Sequence, residues 1–222
     1  MIGRLPTRHQ ERFRVLTRAV QPGTRAEAVL PEASYQIDLL LRGGRASDAW
    51  GVLQAVLTGR TVVFEHVSRA PSPQELAIAF MKTAWALGRW FAEGRAVRRP
   101  AIGLVLSVGR PKGGLRFFRA LRKGALPGLY RTRDRGLELI VVDVRALPRR
   151  PGTAFLRLLD HRPEVLEANL RDLQDDPTIS TLTKDRLREA IMTNTTSFSP
   201  RERILTARAL RAEGRAEGRA EG

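Results

Sequence analysis

The fold is decided by three consecutive stretches: Arg60-Thr-Val-Val-Phe-Glu-His-Val67, the run from Ser72 to Phe91, and Ala101-Ile-Gly-Leu-Val-Leu-Ser-Val108. The first and third are short and rich in β-branched and apolar residues, so they predict strands. The middle run has Ser72 as a helix N-cap, Pro in the first turn and Glu75 three residues after the cap, which predicts a long helix. Alternation of strand, helix and strand is typical of an α/β protein.

Further elements extend this unit in both directions. Strands are predicted at 33–41 and 137–144, a first helix at 8–20, and a short helix from Ser47-Asp48 to Leu57. Beyond Pro151 the pattern is helical and amphipathic, and residues 211–222 repeat Arg-Ala-Glu-Gly three times. We therefore expect an α/β core in 1–150, a helical extension in 151–200 and a charged tail in 201–222. Glycine at every fourth residue favours a frayed, solvated tail, although like tails could pair to form a homo-oligomer.

The net charge of +16 lies entirely in the first 150 residues. Residues 101–150 contain 12 Lys or Arg against 3 Asp or Glu, whereas residues 151–222 contain 12 of each. A phosphate backbone is the commonest partner of such a surface, because neutralising phosphates releases counterions. The alternative is a compositional bias without binding, since only 4 of the 39 basic residues are lysine.

Composition also excludes several classes of protein. The chain has no cysteine, so disulfide frameworks, thiolate zinc sites and cysteine nucleophiles are excluded. No apolar run approaches the roughly 20 residues of a membrane span, and no signal-peptide pattern is present, so we expect a cytoplasmic protein without a membrane partner.

Asp38 and Glu65 are predicted to lie inside two strands with a short connection between them, and a carboxylate in such a position is costly unless it finds a partner or a metal ion. Asp38 lies in Ile37-Asp-Leu-Leu-Leu41 and Glu65 in the strand that begins at Arg60. If the two strands are neighbours, both side chains can share one Mg²⁺, which prefers oxygen ligands. A hydrated Mg²⁺ beside a basic surface is an arrangement that cleaves phosphodiesters.

With these residues the chain resembles the PD-(D/E)XK nuclease-like family, in its bacterial branch related to recombination-promoting nucleases and transposases. The resemblance rests on Ile37–Leu41, Thr61–Pro71, Phe80-Met-Lys82-Thr-Ala-Trp85, the strand at Leu139–Val144 and the charged glycine-containing tail. It implies a restriction-endonuclease-like core, a mixed central sheet flanked by helices. It also implies that Asp38 and Glu65 bind Mg²⁺ or Mn²⁺, and that the protein is a DNA-binding endonuclease.

The family's third catalytic residue, a Lys or Gln two positions after Glu65, falls on Val67, which can neither orient water nor contact phosphate. Lys82 could supply the missing amine, as relatives carry Lys at a matching position. The spacing favours a solvated residue instead, because Glu75, Lys82 and Arg89 recur at seven-residue intervals, which is typical of one solvated helix stripe.

Other roles stay open as well. Asp48 is a rival for the first acidic position, and Glu27 or Glu32 could provide a third acid. Arg69 and the basic stretch from residue 110 to 135 are the expected nucleic-acid contacts, with these residues in that stretch: Arg110, Lys112, Arg116, Arg119, Arg122 and Lys123. The two leading functions are metal-dependent phosphodiester hydrolysis and a catalytically inactive nucleic-acid-binding or assembly module linked to mobile elements. A protein-binding adaptor that oligomerises through its tail is a weaker alternative.

Overall fold

A computed structural model gives the architecture of the chain. It describes these residues: 8–22, 25–26, 38–42, 44–94, 101–117, 122–132, 137–160, 162–194, 197–201 and 203–207. They form two compact units. One contains residues 23–46 and 53–148, and the other contains residues 1–22, 47–52 and 149–222.

In the part of the chain that the structure describes, the first unit is built on a seven-stranded mixed sheet, and the chain as a whole is an α/β protein. In chain order the strands are β1 (Arg25–Ala26), β2 (Leu39–Arg42), β3 (Thr61–Val67), β4 (Ala101–Ser107), β5 (Arg122–Lys123), β6 (Leu129–Arg131) and β7 (Leu137–Asp143). Their spatial order is β1-β2-β3-β4-β7-β6-β5. The central strands β3, β4 and β7 run parallel, and the flanking strands pair antiparallel to them.

Among its described residues this unit has three helices: α2 (Gln54–Leu57), α3 (Pro73–Ala92) and α4 (Lys112–Phe117). Every residue of β4 and β7 is buried, which explains why β4 is almost entirely apolar and why β7 is apolar apart from Glu138 and Asp143. On one face Leu76 and Ala79 of α3 pack against Val105, Leu139 and Val141.

The strands at 60–67, 101–108 and 137–144 and the helix beginning at Ser72 are confirmed to within one residue at each end. The predicted strand at 33–41 is partly corrected. The strand begins at Leu39, so Asp38 precedes it rather than lying inside it, and residues 33–37 lie outside the described part of the chain. The Asp38 side chain accepts a main-chain N–H from β3, and a side chain that bonds to the backbone in this way competes with the regular ladder of a sheet.

The second unit is helical, with α1 (Arg8–Val20), α5 (Ala154–Leu158), α6 (Pro163–Asp175) and α7 (Thr181–Thr193). α1 packs against α7, and α5 against α6. Trp50 meets Phe155 edge to face at 5.2 Å between ring centroids. A 3₁₀ helix (Asp48–Leu53) kinks at Gly51, whose φ of 46° is in the left-handed region. A Cβ on Gly51 would lie 2.0 Å from the carbonyl oxygen of Gly152, so no other residue fits there.

Candidate active site

Strand pairing brings Asp38 next to Glu65. β2 and β3 are antiparallel with Leu39 opposite Phe64, so the next position along places Asp38 across from Glu65. Residues directly opposite one another on neighbouring strands point to the same face of a sheet. The link is double: Asp38 Oδ2 accepts the main-chain N–H of His66 at 2.9 Å, and the main-chain N–H of Asp38 donates to the Glu65 carboxylate.

Helix α3 brings Lys82 to the same place. Its start is fixed by a capping box, in which Ser72 accepts the N–H of Glu75 and Glu75 accepts the N–H of Ser72. Two and a half turns later, Lys82 Nζ lies 2.8 Å from both carboxylate oxygens of Glu65. Asp38, Glu65 and Lys82 therefore form one cluster, which we call the carboxylate–lysine cluster.

A glycine on the neighbouring strand lets α3 come close to the sheet. Gly103 of β4 faces the helix, and a Cβ built on it would lie 2.5 Å from Thr83 Oγ1 and 3.2 Å from the side chain of Leu139. Thr83 is fully buried and donates its hydroxyl to the carbonyl of Ala79, so it cannot move aside cheaply. The position of Lys82 over β3 thus depends on the absence of a side chain at residue 103.

The carboxylate–lysine cluster is poorly hydrated. The side chains of Glu65 and Lys82 are 15% and 9% exposed, and Asp38 is 5% exposed. Burial and the negative charge of Asp38 raise the pKa of Glu65 to about 7, although Lys82 and the Asp38 N–H oppose this shift. Glu65 therefore changes its charge near neutral pH.

Val67, where the resemblance to the nuclease family would place a lysine, is half-buried against the apolar cluster that includes Leu76, Val105 and Val141. The amine that contacts Glu65 comes from α3, at Lys82. The prediction of a fully solvated Lys82 is wrong, because the residue is buried and paired with Glu65.

Asp48, the rival acid, is engaged elsewhere in the helical unit. Its carboxylate accepts the N–H of Ser180 at 2.8 Å and the hydroxyl of Thr183 at 2.8 Å. Ser180 is the N-cap of α7, so Asp48 holds the first turn of that helix. Although burial opposes the shift, hydrogen bonds from Ser180, Thr183 and Ser47 lower the pKa of Asp48. Its bonding is that of a structural carboxylate.

The predicted nucleic-acid contacts fall into two groups. Arg69 is exposed but makes a bidentate pair with Glu75, at 3.0 and 2.9 Å. Four cations are exposed and make no ion pair with any residue that the structure describes: Arg110, Lys112, Arg116 and Lys123. Arg119 lies outside the described residues, as does the side chain of Arg122, which is placed in β5 by its backbone.

Two buried acids in the described part of the sheet unit were not singled out from the sequence, Glu138 and Asp143 of β7. Glu138 pairs with Arg60 and Arg131. Burial raises the pKa of the Asp143 carboxyl, against hydrogen bonds from the main-chain N–H groups of Arg145, Ala146 and Gly109. These bonds tie the loop after β4 to the loop after β7. The signal available in the sequence for Asp143 was its position as an acidic residue at the end of a mostly apolar strand. Glu27 and Glu32 lie outside the described residues, within which no group of three or more acids or histidines is arranged to hold a metal ion.

No helix among the described residues is long and apolar enough to cross a membrane. No protein-family model, curated protein or solved structure matches the chain.

Proposed function

We propose that the chain is a nuclease-like DNA-binding protein that hydrolyses phosphodiesters with the help of a divalent metal ion. The observation that carries this proposal is the carboxylate–lysine cluster, in which two acids from paired strands and one amine from the following helix meet in a buried position. A cluster of titratable groups whose charges are shifted by burial and by one another is typical of active sites.

The residues of the cluster fit a divalent cation. Mg²⁺ is commonly held by one or two carboxylates, with waters and substrate phosphate oxygens completing its coordination. Asp38 and Glu65 offer such a pair of carboxylates, and a third protein acid is not required. Glu65 would bind in its ionised form, which its pKa of about 7 makes available from neutral pH upward. We therefore assign Asp38 and Glu65 as the ligands of Mg²⁺ or Mn²⁺.

Each group then has a distinct role. When bound, the cation would act as a Lewis acid toward a phosphoryl oxygen and stabilise the charge of the transition state. Lys82 holds Glu65 in place through both oxygens, and its ammonium can donate to a phosphate oxygen or orient the attacking water. Asp38 is fixed by the N–H of His66, so its second carboxylate oxygen keeps a defined direction.

The topology around the cluster supports a restriction-endonuclease-like core. An antiparallel pair (β2 and β3) carries the two acids, and α3 crosses from β3 to the parallel strand β4. Outside the cluster, we propose that a set of basic residues contacts the DNA backbone. The set consists of the exposed cations Arg110, Lys112, Arg116 and Lys123, together with Arg69, Arg119 and Arg122.

A second function is favoured by one observation, the completeness of the Lys82–Glu65 pair. Because Nζ lies 2.8 Å from both oxygens, the two charges satisfy one another without any ligand. Such a pair could simply hold α3 on the sheet. In that case the protein is an inactive nucleic-acid-binding or assembly module of the same fold, linked to mobile elements.

A plasmid-nicking assay separates the two functions. The enzyme hypothesis predicts nicking that requires Mg²⁺ or Mn²⁺ and falls at least about 100-fold in Asp38→Asn and in Glu65→Gln. Glu93→Gln is the matched control, since Glu93 follows α3 and pairs with Arg89 away from the cluster. Equal nicking by all four proteins would indicate a contaminating nuclease and refute the assignment.

DNA binding is measured separately by fluorescence anisotropy at several salt concentrations. Both functions predict that the logarithm of the binding constant falls by about 0.9 per phosphate contact for each unit of log salt. Lys112→Ala and Arg116→Ala should each reduce this slope. A binding constant that does not respond to salt would exclude contact with phosphates, and with it both functions.

A further inference from the structure

The loops that follow the three parallel strands meet at one edge of the sheet. The register aligns the last residues of β3, β4 and β7, which are Val67, Ser107 and Asp143. Gly109, in the loop after β4, donates its N–H to the carboxylate of Asp143. A Cβ built on Gly109 would lie 3.1 Å from the Cβ of Ala70, in the loop after β3. The three loops therefore form one continuous surface, which we call the carboxyl edge (residues 68–72, 108–112 and 144–148).

Asp143 is the residue that holds this surface together. Its side chain accepts the main-chain N–H of Gly109 from one loop and those of Arg145 and Ala146 from another. Asp143 is 5% exposed, so water competes little for these hydrogen bonds. A carboxylate that bonds to several main-chain N–H groups fixes the backbone around it. The directions of the neighbouring exposed side chains, Arg110 and Arg145, therefore depend on Asp143.

The cations at the two edges of the sheet differ in their partners. At the amino ends of the strands, Arg60 and Arg131 both pair with Glu138, so their charges are compensated within the protein. The carboxyl edge instead presents exposed cations. The short helix α4 adds to them because it packs beside the start of α3, where a Cβ on Gly113 would lie 3.0 Å from the ring of Pro73. The exposed cations of the carboxyl edge and α4 are Arg110, Lys112, Arg116 and Arg145.

The position and width of the carboxyl edge suit a phosphate backbone. In open α/β sheets, ligands bind at the carboxyl ends of the strands. Neighbouring strands are about 4.8 Å apart, so the distance from β3 to β7 is about 10 Å, which corresponds to about three phosphates of one DNA strand. Glu65 lies two residues before the end of β3, so the carboxylate–lysine cluster is about 7 Å from this edge along the strand.

We propose that a DNA phosphate backbone runs along the carboxyl edge, that Arg145 contacts one of its phosphates, and that Asp143 is a positioning residue for this contact. The inference rests on the proposed function, to which it adds the place of the DNA and two further residues. The four exposed cations supply up to four phosphate contacts. At about 0.9 per contact, they contribute about 3.6 to the slope of the logarithm of the binding constant against log salt.

Fluorescence anisotropy with a labelled DNA duplex tests the role of Arg145. The titrations are done in EDTA at about 50 to 200 mM salt, so binding is measured without metal-dependent cleavage. Arg145→Ala should reduce the slope by about 0.9. Arg186→Ala is the matched control, because Arg186 is exposed on α7 of the helical unit, and it should leave the slope unchanged.

The outcomes separate this inference from the proposed function. A wild type whose binding depends on salt, with a slope that Arg145→Ala leaves unchanged or that both variants reduce equally, would overturn the inference alone. A wild type whose binding does not respond to salt would overturn the proposed function together with it.

A comparison of two buried acids of β7 tests the positioning role of Asp143. Asp143→Asn and Glu138→Gln each remove one negative charge, so by charge alone both should strengthen DNA binding. Because the alignment of Arg110 and Arg145 is lost, Asp143→Asn should instead raise the dissociation constant at least about 10-fold and reduce the slope. Glu138→Gln should do neither, and urea unfolding of both variants verifies that folded proteins are compared. Binding by Asp143→Asn that is as tight as that of the wild type or tighter, or equal weakening by both variants, would refute the positioning role.

Discussion

Replacing Lys82 by Met should destabilise the protein by an amount that grows with pH above 7. In the wild type the pKa of Glu65 is raised from its ordinary value of 4.5 to about 7. The stability associated with this raised pKa is complete below pH 4.5 and is lost as the pH rises to about 7. Each unit of pKa shift corresponds to about 1.4 kcal/mol, so the loss amounts to about 3 kcal/mol.

Without the ammonium, the Glu65 carboxyl keeps its proton well above pH 7, because burial and Asp38 still disfavour the charged form. The variant then continues to lose about 1.4 kcal/mol per pH unit where the wild type has stopped losing stability. The difference in unfolding free energy between wild type and Lys82→Met should therefore be about 3 kcal/mol larger at pH 9 than at pH 7. Met keeps the length and helix propensity of Lys, so the helix itself is little affected.

Urea unfolding at pH 7, 8 and 9 measures this difference. The control is Lys82→Met in a Glu65→Gln background, where the titrating group is absent and the cost of the substitution should not change with pH. If Lys82→Met lowers the unfolding free energy of the wild-type background by the same amount at pH 7 and pH 9, Glu65 is not electrostatically coupled to Lys82, and the predicted pH dependence is wrong.

Three further predictions concern the surroundings of the cluster. Asp38→Asn should lower the pKa of Glu65 below 7, because it removes a neighbouring negative charge. Carbon-13 NMR titration of the glutamate carboxyls measures this pKa, and an unchanged value would contradict the prediction. Gly103→Ala should cost about 1–3 kcal/mol through the contact with Thr83 Oγ1, and Thr83→Ala should recover part of that loss when combined with it. If the changes in unfolding free energy of the two single variants simply add in the double variant, the contact with Thr83 is not the cause of the loss. Ser72→Ala should cost about 1 kcal/mol by removing the N-cap of α3, and a cost near zero would mean that the cap is redundant.

The central strands and the long helix could be predicted because each has a strong local signal. β3, β4 and β7 are short and rich in apolar and β-branched residues, and the start of α3 is marked by Ser72, Pro73 and Glu75. These signals depend on residues close to one another in sequence. The start of β2 was harder to predict, because the Asp38 side chain accepts a hydrogen bond from His66, which is 28 positions away in the sequence.

The acids of the candidate site could be singled out because a carboxylate inside a strand is costly without a partner, but their pairing with Lys82 could not be decided. On α3, the seven-residue spacing of Glu75, Lys82 and Arg89 suggests one solvated stripe. The structure separates these residues by burial: Lys82 is covered, whereas Arg89 is exposed. The difference arises from the contact of α3 with the sheet across Gly103, which no local pattern reports. The role of Asp48 in capping α7 is likewise a contact over more than 130 positions.

The most direct test of the proposed metal site is Mn²⁺ binding followed by electron paramagnetic resonance, because a contaminating nuclease does not affect the stoichiometry of this binding. The wild type should bind one ion per chain with an affinity that increases as the pH rises through 7, and both Asp38→Asn and Glu65→Gln should lose this binding. Binding that is unchanged in these two variants, or no binding by the wild type at pH 8, would contradict the proposed site.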